Sequence, residues 1–157
     1  MKQDRELKIK ELGLELPPAP KPGGIYKPLL VIDKFLYLSG QGPVKIDGTL
    51  MTGKLGDDLT VEEGKLAARQ AGLAMLSTIK EYFGELNRIK RLVKVLGMVN
   101  CTSDFQHQPA VINGFSELMA ELFGEEDGIG VRSAVGMTLP SNIPVEVEAV
   151  FELYQIE

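Results

Sequence analysis

The chain has 157 residues, 44% of them hydrophobic and 25% charged, with a formal net charge of −5. This is the balance of one globular domain long enough to bury its own core, and its acidity disfavours nucleic-acid binding, which needs a clustered basic surface. A single cysteine, Cys101, excludes an internal disulfide and a cysteine-built metal cage, and a single histidine, His107, leaves little material for histidine metal sites or Ser-His-Asp chemistry.

The start of the chain, MKQDRELKIKELGLELPP, lacks the apolar centre of a secretory signal. No apolar run approaches the ~20 residues of a membrane span. The expected setting is therefore cytoplasmic, with Cys101 reduced and no membrane association. Residues 3–13 carry a partial apolar stripe, Leu7, Ile9 and Leu12, and predict a short helix ending near Gly13. PPAPKPGG at 17–24 is an irregular connector. Residues 1–22 are thus expected to form an N-terminal extension, a short helix plus Pro-rich linker, ahead of a single domain at 23–157. IYKPLLVIDKFLYLSGQGP at 25–43 predicts two strands turning at Asp33-Lys34, the second ending at Gly40 and Gly42. Residues 45–58 form a loop with a turn at Asp47-Gly48.

Thr60-Val61-Glu62-Glu63 is a capping box that opens a helix over 61–83. Leu66, Ala67, Gln70, Ala71, Ala74, Met75, Thr78 and Ile79 mark its apolar face, and Gly84 closes it. RIKRLVKVLGMVNC at 88–101 alternates and then turns almost wholly apolar, as a central strand does. Ser103 or Asp104 is the expected cap of a second helix over 108–123, which stops at Gly124. Two alternating runs follow in VRSAVGMTLPSNIPVEVEAVFEL, 131–153. The order ββ-α-β-α-ββ predicts an α+β fold, a mixed β-sheet with two helices packed on one face, joined by right-handed crossovers.

The last two runs also carry charge. Val145, Val147, Ala149, Phe151 and Leu153 share one face, and Glu146, Glu148, Val150 and Glu152 the other. In the preceding run Arg132, Ala134 and Gly136 share a face opposite Val131, Ser133, Val135 and Met137. Paired as a hairpin, the two runs would bring Arg132 and Glu146 or Glu148 onto one open face. The residues alone leave two readings: a solvated face with cross-strand ion pairs, or a face closed by oligomerisation, with small-molecule clefts between protomers.

Four segments then resemble the Rid (YjgF) family, also called L-PSP endoribonuclease-like. They are GGIYKP (23–28), LYLSGQGP (36–43), SDFQHQPAVINGFSELMAELFGE (103–125) and the 131–153 stretch, in the family's order. The SGQGP spelling is similar to the family's less-studied branch. The resemblance implies a fold like the small trimeric chorismate mutase, a homotrimer with inter-subunit clefts, and hydrolysis of 2-imino acids or their enamines to 2-oxo acids and ammonia. It implies neither cofactor nor metal. Position by position, it makes Arg132 the clamp for the substrate carboxylate and Glu146 the residue that handles water. Tyr26 would stand at the cleft mouth, Ser39 and Gly40 would line the pocket, Asn113 would match a cleft asparagine, and Ala134 would stand where many members carry a pocket cysteine. The span from Arg132 to Leu139-Pro140 is one residue shorter than the family form, which makes Glu148 the alternative to Glu146. Altered spacing and Ala134 also keep open a non-catalytic trimeric binder of small carboxylates, or a regulatory partner of another enzyme. Endoribonuclease activity, the family's older label, fits the acidic charge less well.

Overall fold

The computed structural model describes residues 3–155, so residues 1–2 of the predicted segment 1–22 and residues 156–157 of the segment 23–157 lie outside the described residues. The sheet is built from β1 (Leu29–Ile32), β2 (Phe35–Gln41), β3 (Ile89–Asn100), β4 (Val131–Met137) and β5 (Val145–Leu153). The helices are α1 (Arg5–Glu11), α2 (Val61–Tyr82), α3 (Gln108–Phe123) and the single turn α4 (Glu125–Gly128). Residues 25–28, expected as strand, are irregular; the first strand begins only at Leu29.

Local chemistry explains most element ends. Asp4 caps α1 by accepting from the N–H groups of Glu6 and Leu7. Thr60 and Glu63 make both halves of the capping box on α2. The expected cap on α3 is corrected: His107 occupies the N-cap without a side-chain hydrogen bond, and Asp104 instead accepts from the Thr102 hydroxyl at 2.7 Å. Pro109 in the first turn supplies the helical φ without needing a donor partner. The β1–β2 hairpin turns at Asp33-Lys34 as expected. Asp33 takes φ 53°, a left-handed value that a short polar side chain tolerates.

The sheet order is β1-β2-β5-β3-β4. β5 inserts antiparallel between β2 and β3, whereas β4 runs parallel to β3 at the edge. The expected hairpin between β4 and β5 is therefore corrected. β4 arrives through α3 as a crossover from β3, and a crossover delivers a parallel strand. The chain then turns back through a 3-10 turn at Pro140–Asn142, where Ser141 and Asn142 have φ 56° and 53°. β5 takes the centre because its Val145, Val147, Ala149, Phe151 and Leu153 can all be buried under the helices.

α2 and α3 cover one face of this sheet with Leu76, Ile79, Phe115, Leu118 and Met119 fully buried. Leu66, expected on the apolar face of α2, is 61% exposed. Its place at the interface is not needed, because the two helices meet through small residues. A Cβ on Gly114 would overlap the carbonyl oxygen of Lys65, and one on Gly72 would come within 2.8 Å of Leu118. The N-terminal segment packs on the same layer. Arg5 is buried with its guanidinium 5.1 Å from the Phe123 ring centre, and the Ser77 hydroxyl donates to the Pro17 carbonyl at 2.6 Å.

The opposite sheet face carries no helix. Tyr37, Val131, Val135 and Met137 are exposed on it beside Lys94 and Glu148, while Leu96, Met98 and Val150 are half-buried. No helix among the described residues is long and apolar enough to cross a membrane. Gly114→Ala tests the helix contact: the added methyl should force α2 and α3 apart and destabilise the fold by about 1–3 kcal/mol in denaturant titration.

Candidate functional site

The structure gathers the sequence-predicted residues into two clusters on opposite faces of the sheet. The first forms at a β-bulge. The β2–β5 register slips between Leu38 and Gln41, so Ser39 and Gly40 leave the regular ladder beside β5. A cavity of about 230 Å³ opens there, lined by Lys21, Tyr26, Gly40, Ile143, Pro140 and Glu146 among others. Gly40 leaves room for the Glu146 side chain as it lies: a Cβ would stand 2.6 Å from Glu146 Oε1. Ser39 holds the cavity's outer loop, its hydroxyl donating to the Lys27 carbonyl at 2.6 Å and its N–H to the Pro28 carbonyl at 3.0 Å. The Tyr26 hydroxyl accepts from the Gly23 N–H at 3.0 Å, leaving its own proton available to a ligand. Gln41 is buried and anchored at both ends of its amide, donating to the Ser39 carbonyl and accepting from Thr78.

Glu146 is half-buried and has no hydrogen bond or ion pair among the described residues. Burial, and then the charge of Glu148, push its carboxyl above the ordinary range. The contrast with Glu152 on the same strand is instructive. Lys34, Lys90 and Arg91 surround Glu152 at 3.1, 3.5 and 3.3 Å, and the hydrogen bond from Lys34 leads the causes that hold its carboxyl below the ordinary range. Glu148, the alternative carboxylate, is exposed in a separate depression with Tyr37, Lys94 and Leu96. Glu146, not Glu148, shares a wall with Gly40 and Tyr26.

The second cluster centres on Arg132. In the parallel register Arg132, Ala134 and Gly136 lie opposite Val95, Gly97 and Val99, whose partners on β5 are Ala149, Val147 and Val145. Arg132 therefore belongs to the helix-covered face at the sheet's edge, and the expectation that it shares an open face with Glu146 is corrected. One strand separates β4 from β5, so the two residues also stand roughly 10 Å apart across the sheet. Arg132 donates to Ser116 Oγ at 3.0 Å, to the Pro109 carbonyl at 3.2 Å and to Asn113 Oδ1 at 2.8 Å. Asn113, expected as a cleft asparagine, is thus joined to Arg132. Ser116 and the Pro109 carbonyl were not anticipated, although Pro109, Asn113 and Ser116 fall at i, i+4 and i+7 and so share one stripe of α3. Ala134 is packed against the core on the same face.

All three Arg132 acceptors are neutral, and no carboxylate among the described residues lies within ion-pair distance of it. Three hydrogen bonds against five N–H donors fix the guanidinium and leave donors for an anion. Cys101 is buried, with the Gln108 amide 3.7 Å from its sulfur. Among the described residues no group of three or more His, Cys, Asp or Glu is placed to hold a metal ion.

The Glu146 environment has a measurable sign. Its carboxyl binds a proton more readily folded than unfolded, so its contribution favours the fold at low pH and is lost as pH rises through the raised folded value. Glu146→Gln should therefore raise the thermal midpoint at pH 7, and the gain should vanish near pH 3, as read by thermal unfolding at both values.

Comparison with known proteins follows the same lines. Residues 6–153 match the family described as "YjgF/chorismate mutase-like, putative endoribonuclease". The chain is 42% identical over 146 residues to Protein TCP17 of Trypanosoma cruzi, covering 92% of this chain and 91% of that one. Among solved structures it is similar to a "putative endoribonuclease" from Shewanella oneidensis, with 34% identity, a TM-score of 0.90 and coverage of 96% and 100% of the two chains. RidA from an Antarctic Psychrobacter shares the fold at 23% identity, with a TM-score of 0.60 over 86% of this chain and 94% of that one.

Proposed function

The chain belongs to the YjgF/chorismate mutase-like family, and from that premise we propose that it hydrolyses reactive 2-imino acids, or their enamine tautomers, to 2-oxo acids and ammonia. The observation that carries this reading is a pair of chemically complementary half-sites: a pre-oriented Arg132 held by neutral oxygens and a half-buried Glu146, neither with an ion-pair partner among the described residues. Within one chain the two face away from each other across the sheet. A symmetric assembly that covers the helix-free face resolves this, with Arg132 of one copy completing the Glu146 cavity of the next. The exposed Tyr37, Val131, Val135 and Met137 supply the apolar area for such a contact. We take the assembly to be the family's homotrimer.

In this reaction Arg132 holds the substrate carboxylate and so fixes C2 within the cavity. Glu146 takes a proton from water as the water oxygen bonds to C2 and the C=N π pair moves to nitrogen. It then returns that proton to the nitrogen of the carbinolamine. The hydroxyl proton of the carbinolamine then passes through Glu146 to the same nitrogen as the C–N bond breaks, so ammonia leaves and the C=O of the 2-oxo acid forms. A carboxyl raised above its ordinary range is suited to both transfers. An imine is already electrophilic, so positioning and one proton-carrying group suffice for turnover.

Endoribonuclease activity is the lesser reading, because a net charge of −5 opposes a polyanionic substrate. The test generates 2-iminobutanoate in situ with a dehydratase and traps it with semicarbazide. The wild type should lower the trapping rate, and Arg132→Ala should lose about 10²-fold in kcat/KM, the scale expected when one partner of a charge-assisted pair is removed. A wild type without effect on trapping across several imines would overturn the proposal.

A further inference from the structure

The Pro-rich connector forms part of the wall of the cavity that Glu146 lines, and that connector carries a cation. Pro20, Lys21 and Pro22 line the cavity together with Tyr26. The connector is pinned on both sides of Lys21. Upstream, the Pro17 carbonyl accepts from Ser77 at 2.6 Å; downstream, the Lys27 and Pro28 carbonyls accept from the Ser39 hydroxyl and N–H. Pro20 and Pro22 fix their own φ, and a residue preceding proline is restricted to extended backbone. Lys21 is therefore presented from a stiff wall rather than from a loose tail, and binding there forfeits little backbone entropy.

Charge completes the argument. Lys21 is exposed, and no carboxylate among the described residues lies within ion-pair distance of it. It is the one cation and Glu146 the one carboxylate among the cavity's lining residues. Glu146, with Glu148 behind it, repels a second negative charge brought into the cavity. A substrate carrying two carboxylates would need a cation beyond Arg132 to be accepted.

We infer that Lys21 makes this site selective for 2-imino acids whose side chain ends in a second carboxylate. Arg132 takes the carboxylate at C1, and the Lys21 ammonium takes the one at the far end. The inference rests on the imine reading for its reaction, and on the cavity together with the proposed delivery of Arg132 from a second copy for its ligand class, so the two can be separated by measuring binding as well as turnover.

The experiment compares 2-oxoglutarate with 2-oxobutanoate by titration calorimetry on the full chain, alongside turnover of the corresponding imines. The wild type should bind the dicarboxylate about 3-fold more tightly, the scale of one ion pair to an exposed lysine, and 0.5 M salt should shrink that preference. Lys21→Met should abolish or reverse the preference, the larger loss falling on 2-oxoglutarate, and Lys21→Arg should keep it. An equal wild-type affinity for both acids, a preference that survives in Lys21→Met, or binding of neither acid overturns the assignment. A Lys21-dependent preference without hydrolysis of any imine refutes the proposed reaction and leaves the ligand class standing. Imine hydrolysis whose substrate ratio is unmoved by Lys21→Met does the reverse.

Discussion

The parallel pairing of β4 with β3 is the constraint on which the rest of the site depends. Side chains on a strand alternate between faces, so the strand's partner and direction decide which residues see the helices. Arriving from α3, β4 aligns Arg132 with Val95 and turns it toward Pro109, Asn113 and Ser116. β5, inserted at the centre, must bury Val145, Val147, Ala149 and Phe151 under the same helices, which sends Glu146 to the far side. A chain with this topology separates its cation from its carboxylate. The proposed assembly answers that separation, because a second copy would reunite the two functions.

Electrostatic design divides β5 along its length. At its C-terminal end Glu152 is neutralised by Lys34, Lys90 and Arg91 and serves the fold. At its N-terminal end Glu146 is left without a partner in a half-buried niche that Gly40 keeps open. Burying a carboxyl without a partner costs stability. That cost falls where the bulge in β2, the Pro-rich connector and the turn at Pro140–Asn142 meet to form a cavity. Arg132 shows the complementary arrangement, a cation held by neutral oxygens alone. Among the described residues neither group is neutralised by an opposite charge.

Much of this was legible in the sequence. The capping box at Thr60 and Glu63, the 3/4 spacing of α2 and the stops at Gly84 and Gly124 are local signals, and they place the helices within a residue or two. The alternation of β5 correctly assigned its two faces. Strand partners were not legible, because period 2 fixes a face and says nothing of a neighbour. The hairpin expected between β4 and β5 and the shared face of Arg132 and Glu146 both failed for that reason. Capping preference misled at Asp104, whose carboxylate found the nearer Thr102 hydroxyl. Arg132 and Asn113 were each named by family resemblance but not as a pair, and Ser116 and the Pro109 carbonyl lay unread in a helical stripe with no charge to mark it. Nothing in the composition of PPAPKPGG told that it would wall a cavity; that follows from the hydrogen bonds of Ser39 and Ser77.

Subunit complementation measures the central claim most directly. Arg132→Ala and Glu146→Gln chains, each inactive alone, are unfolded, mixed in equal amounts and refolded together. If each site joins Arg132 of one copy to the Glu146 cavity of the next in a closed ring of three, every mixed ring regains one intact site, and imine hydrolysis should return to about a quarter of the wild-type level. Activity no higher than that of the separate variants would contradict the account and return both residues to a site within one chain.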